Sequence, residues 1–77
     1  MKVKVLFFGS LGEVAGREEL ELNDIPDTDH LLSRLRGLYP ALTQHTFRLA
    51  VNQTIVEGAA LLNDNDEVAL MPPFAGG

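Results

Sequence analysis

Residues 2–8 alternate, with Val3, Val5 and Phe7 on one side of the chain and Lys2, Lys4, Leu6 and Phe8 on the other. A period of two predicts a strand. Ser10-Leu11-Gly12-Glu13 has the spacing of a capping box, in which the serine hydroxyl and the glutamate carboxylate take up free amides at the start of a short helix. Gly16 is placed to end that helix. Residues 18–22 alternate again, Leu20 and Leu22 opposite Glu19 and Glu21, which predicts a strand with one wet face, forming a hairpin with the first.

At Thr28 the period changes. Leu31, Leu35 and Leu38, with Leu32 and Tyr39 beside them, recur at steps of three and four and draw one apolar stripe along the only long helix. Asp27, Thr28 or Asp29 can cap its start, the acidic side chains suit the positive end of its dipole, and Pro40 stops it. Residues 47–51 and 54–56 read as short strands around Asn52-Gln53. Asn63-Asp64-Asn65-Asp66 is a polar turn into a last strand over residues 67–71. The order is ββαβββ. A helix with one apolar stripe packs on one face of a sheet, so the expected class is α+β, a twisted mixed sheet wrapped around a single helix. Residues 1–71 form the expected domain and residues 72–77 an extended tail.

Composition narrows the function. With 77 residues the chain is one domain, near the size at which folding buries only roughly 60% of the unfolded surface. The absence of cysteine excludes disulfides, thiolate metal sites, iron–sulfur clusters and a catalytic thiol. The longest early apolar run, residues 5–8, is too short for a signal-peptide core or a membrane helix, so a cytoplasmic protein with no membrane association is expected. Eleven Asp and Glu against six Lys and Arg give a net charge of -5. That charge repels a phosphate backbone, so no nucleic acid is expected as a partner, whereas a basic protein groove is a suitable one.

Inside the domain little looks catalytic. Gly9, Gly12 and Gly16 do not have the spacing of a dinucleotide cradle and no Gly-Lys-Ser/Thr follows, so they read as turn glycines. Asp64, Asp66 and Glu67 lack the glycine and the distant glutamate of a calcium loop and read as a solvated turn. His30 and His45 stand apart in sequence with no pattern of metal ligands around them. No metal and no bound cofactor are expected.

The tail and one face of the sheet remain. If Val3, Val5, Phe7, Val68 and Leu70 face the helix, then Leu6, Phe8, Ala69 and Met71 face away from it, and Phe8 and Met71 are exposed close to where the tail departs. Such a patch marks a partner surface, unless the loop around Leu11 and Val14 covers it. Pro72 and Pro73 remove two backbone donors and stiffen an extended exit, and Phe74 can anchor in a partner's pocket. Gly76 and Gly77 lack Cβ atoms, so a carboxylate at their end can enter a channel too narrow for any side chain. The expected reactive group is that carboxylate. Adenylation by ATP would turn it into a mixed anhydride, attack by a sulfur donor would then give a thiocarboxylate, and attack by lysine would give an isopeptide bond.

Three stretches, "KVLFFG" at residues 4–9, "AVNQTIV" at 50–56 and "DEVALMPPFAGG" at 66–77, together with the helix between them, carry a family likeness. The sequence resembles the small subunits of molybdopterin synthase, sulfur carriers with the ubiquitin-like β-grasp fold. The resemblance implies that Gly77, preceded by Gly76, is adenylated by an adenylyltransferase related to the ubiquitin-activating enzymes, which uses ATP, and is then converted to the thiocarboxylate. It implies that the tail inserts into the large catalytic subunit of the synthase, in a complex resembling a heterotetramer. There the sulfur passes to cyclic pyranopterin monophosphate, building the dithiolene that later holds molybdenum. Phe8, Ile55 and Met71 would be partner contacts, and the chain would be a subunit of an enzyme rather than an enzyme by itself. Where many members have basic residues in the short helix, Leu11-Gly12-Glu13 has none. The alternatives are the sulfur carrier of thiazole synthesis, which shares the fold and the Gly-Gly end, and a ubiquitin-like modifier or binding module.

Overall fold

The strand predicted from the first alternation lies inside the sheet rather than at its rim. In the computed structural model, which describes residues 2–73, β1 (Lys2–Phe7) is followed by α1 (Ser10–Ala15), β2 (Glu19–Asn23), α2 (Thr28–Leu38) and a 3-10 helix (Pro40–Gln44). Then come β3 (Arg48–Val51), β4 (Thr54–Val56) and β5 (Asp66–Met71). The five strands form one sheet in the order β2-β1-β5-β3-β4. β1 pairs antiparallel with β2, as the hairpin expectation requires, and parallel with β5, while β3 runs antiparallel to both β5 and β4.

One face of this sheet holds the core. Val3, Val5 and Phe7 of β1, Leu22 of β2, Leu49 of β3, and Val68 and Leu70 of β5 are buried there with Leu31 and Leu35 of α2. Each such side chain contributes about 1.5–3 kcal/mol on burial. Phe7 meets Tyr39 edge to face, with ring centroids 5.8 Å apart and planes at 82°. Thr28, also buried, accepts a 2.9 Å bond from the Ala60 amide, and its own N–H donates to Ala60 O at 2.9 Å. These bonds pin the connection before β5 to the start of the helix.

The predicted caps are realised in part. Asp27 caps α2, its Oδ1 accepting the His30 amide at 2.8 Å. The capping box does not form. Ser10 is already the first helical residue, Gly9 occupies the cap position, and no side chain bonds there. Gly16 ends α1 in the left-handed conformation, φ 75°, donating its N–H to Gly12 O at 2.9 Å. Leu38, expected in the apolar stripe, is 50% exposed. It is the last residue of α2, and the chain turns there into the 3-10 helix, whose buried Leu42 takes its place in the core.

Asn52 and Gln53, at φ 49° and 72°, form the two-residue turn that joins β3 to β4. The Asn52 side chain donates to Asp66 Oδ1 at 2.9 Å and accepts the Glu67 amide at 2.9 Å. Asp66 Oδ2 accepts the Asn63 amide and Asp64 Oδ1 the Lys2 amide, both at 2.7 Å. Asp64 and Asp66 therefore serve as turn acceptors. No helix of the described residues is long and apolar enough to cross a membrane.

Candidate functional site

The face of the sheet opposite the core is built in rows. Leu6 stands beside Ala69, Ala69 opposite Ala50, and Ala50 opposite Ile55, so one row crosses β1, β5, β3 and β4. In the next row Met71 stands opposite Arg48. Phe8 extends β1 beside Met71, donating its N–H to Leu70 O at 3.0 Å. Phe8 is 46% exposed, as expected, and Ile55 is exposed; Met71, expected to be exposed as well, is half-buried, as is Leu6, because its neighbours on the adjoining strands cover part of it.

Ala69 points outward as expected but is only 8% exposed, and Ala50 is buried too. Alternation assigns a side chain to a face and says nothing of what its neighbours cover. The Ala69 methyl, between Leu6 and Ala50, and the Ala50 methyl, between Ala69 and Ile55, have little surface left. The result is a shallow floor of two alanines ringed by Phe8, Leu6, Met71 and Ile55. The loop that could have covered this patch does not, because Leu11 is buried in the core and Val14 packs against it.

The root of the tail adjoins the patch. In a parallel ladder the Phe8 carbonyl would accept from the amide of residue 72, but Pro72 has none. Phe8 O accepts instead from Leu11 N at 3.1 Å. The ladder thus ends where α1 begins. Pro72 rests against Gly9, where an added Cβ would lie 3.1 Å from Pro72 Cγ, and Gly9 has φ 58°. Read from the sequence as a turn residue, Gly9 is also the seat of the tail's first proline, which becomes legible only once β1 and β5 are known to run side by side. Phe74, Gly76 and Gly77 lie outside the described residues.

Beside the patch opens a cleft of about 860 Å³ whose lining includes Leu6, Phe8, Glu13, Arg17, Glu18 and Glu19. The two histidines line different clefts and are not brought together. His30 Nδ1 lies 2.7 Å from Asp27 Oδ1. The His30 amide, followed by its imidazole, holds the Asp27 carboxyl below its ordinary value of 3.8. His30 is thereby part of the helix cap.

The model of the ThiS family matches residues 5–77, a span that includes the whole apolar patch and the tail. The chain belongs to the ThiS family. It is 42% identical, over the whole of this chain and 99% of the other, to a molybdopterin synthase sulfur carrier subunit of Mycobacterium tuberculosis. Its fold is the ubiquitin-like β-grasp. The small archaeal modifier protein 1 of Methanosarcina acetivorans superposes with a TM-score of 0.84 at 30% identity, over 99% of this chain and 96% of that one. Subunits 1 and 2 of the molybdopterin-converting factor of Helicobacter pylori have been solved as a protein–protein complex. That structure matches with a TM-score of 0.74 at 28% identity, over the full length of both chains. For a member of the ThiS family, the described features that stand out are the exposed apolar patch and the tail root beside it.

Proposed function

We propose that the chain is the sulfur carrier subunit of a molybdopterin synthase and that Gly77 carries the sulfur. The observation that supports this reading is the adjacency of an apolar patch, exposed at Phe8 and Ile55 and half-buried at Met71, to the point where Pro72 ends the β1–β5 ladder. A partner that covers the patch in the matching orientation receives the tail in the same act. The names of the relatives favour a molybdopterin partner over a thiazole one.

In this reading an adenylyltransferase joins the Gly77 carboxylate to AMP from ATP, releasing pyrophosphate. Sulfide supplied by a sulfur donor attacks the carbonyl carbon, AMP leaves, and a thiocarboxylate remains. The thiocarboxylate is largely ionised near neutral pH, so its sulfur is a nucleophile without a dedicated base. This accounts for a carrier that holds no catalytic side chain. Phe74 anchors in the partner, and Gly76 and Gly77 pass through a narrow channel of the large subunit in a two-plus-two assembly. ATP is bound by the activating enzyme and not by the carrier, and the cycle runs in the cytoplasm.

The test is the intact mass of the protein after incubation with ATP, a sulfide source and cell extract. Replacement of one oxygen by sulfur, lost on deletion of Gly77, supports the proposal; an unchanged mass in an extract that charges a control carrier overturns it. The likeness to an archaeal modifier protein favours a second reading, in which Gly77 forms isopeptide bonds. Lysine conjugates that survive a denaturing gel would support it.

A further inference from the structure

The balance of charge differs between the two sides of the apolar patch. On the β2 side the patch runs into the open cleft, whose lining includes Glu13, Glu18 and Glu19 and the single cation Arg17. Glu19 is tied to Lys4 at 3.3 Å, whereas Glu13 and Glu18 are exposed and make no ion pair among the described residues. On the far side of Met71, its cross-strand neighbour Arg48 is likewise exposed and makes no ion pair among the described residues. The carboxylates of Glu13 and Glu18, which make no ion pair among the described residues, thus stand on one side of the patch and Arg48 on the other.

We infer that this polarity orients the partner: the protein that covers the patch presents a Lys or Arg to the Glu13–Glu18 cleft and a carboxylate to Arg48. The inference rests on the proposed docking of this face to the large subunit. Apolar burial has no direction of its own, and a floor of two alanines offers little relief. A partner could therefore settle on it in either of two opposed orientations, only one of which accepts the tail. The charges separate the two, because the wrong orientation sets like charges together or leaves them desolvated and unpaired. A Lys or Arg suits the cleft in particular, since its aliphatic stem can lie on Leu6 and Phe8 while its head reaches the carboxylates.

The probe is the recombinant large subunit of molybdopterin synthase from the same organism, titrated at low and high salt with the wild type, Glu13→Lys with Glu18→Lys, Arg48→Glu, and Phe8→Ala. At low salt both charge reversals are expected to weaken association about tenfold or more. The loss should shrink at high salt, where rim charges are screened, and the thermal midpoints should stay at the wild-type value. If Phe8→Ala weakens binding while both reversals stay within about twofold of wild type at low salt, the orientation rule is overturned and the docking face stands. If Phe8→Ala has no effect, the face and the rule fall together.

Discussion

Phe7 and Phe8 are neighbours in sequence on opposite faces of the sheet, and truncating each should fail in a different assay. Phe7 is 3% exposed, in the core, and Phe7→Ala should cost about 3–5 kcal/mol of folding stability. Phe8 is 46% exposed, which, for a residue of roughly 200 Å², leaves about 90 Å² open to water. Covering that area at about 25 cal/mol per Å² is worth about 2 kcal/mol to a complex. Part of it belongs to atoms that alanine keeps, so Phe8→Ala should weaken association with the large subunit by about 1.5 kcal/mol, roughly tenfold. Its denaturation midpoint should move far less than that of Phe7→Ala. Calorimetric titration and urea denaturation of the two variants, run in parallel, read both quantities. Wild-type affinity in Phe8→Ala, with a loss of stability matching that of Phe7→Ala, would refute the assignment of the two faces.

Other expectations follow from single sites. Gly9→Val places a branched side chain at φ 58° and against Pro72. It should cost about 1–3 kcal/mol of stability in denaturant titration and slow sulfur charging of Gly77 beyond what the stability loss explains; normal charging would show that the seat of Pro72 is not needed. The Asp27 carboxyl is held below its ordinary value of 3.8 in the folded chain, so it contributes stability above that value, lost as the pH falls through the folded value. In Asp27→Asn the melting temperature should fall less steeply on acidification below pH 3.8 than in the wild type, and an unchanged slope would remove the cap from the account. One alanine added after Gly77 should abolish sulfur transfer without moving the thermal melt, and retained transfer would refute the assignment of the cargo residue.

What could be read from the sequence, and what could not, divides by range. Alternation in β1 and β2 and the Leu31–Leu35 spacing are local consequences of burying one side of an element, and each survives in the structure. The capping box failed because spacing alone cannot tell the cap position from the first helical residue; Gly9 could take up a positive φ and moved the boundary back by one. The 3-10 helix of Pro40–Gln44 is too short to show a period. Exposure of Phe8 was legible from its parity, whereas the covering of Ala69 needed the identities of its neighbours on other strands. The parallel pairing of β1 with β5, which sets Pro72 on Gly9, joins the two ends of the domain and leaves no local mark.

That same pairing bears on how a small domain can offer its end to a partner without unravelling. The tail leaves from β5, which has β1 on one side and β3 on the other, so both of its hydrogen-bonding edges are occupied. Val68 and Leu70 fix the strand further by burial in the core. A tail hung from either edge strand, β2 or β4, would pull on a single ladder, and β4 has only the three residues Thr54–Val56 to resist. Pro72 then ends the β1–β5 ladder at a defined residue, so the segment that the proposed partner would draw in is separated from the segment that holds the fold. Under the proposed function, tension on the terminus would be carried by two ladders and the core together, so that the 77-residue chain would be engaged as one folded body.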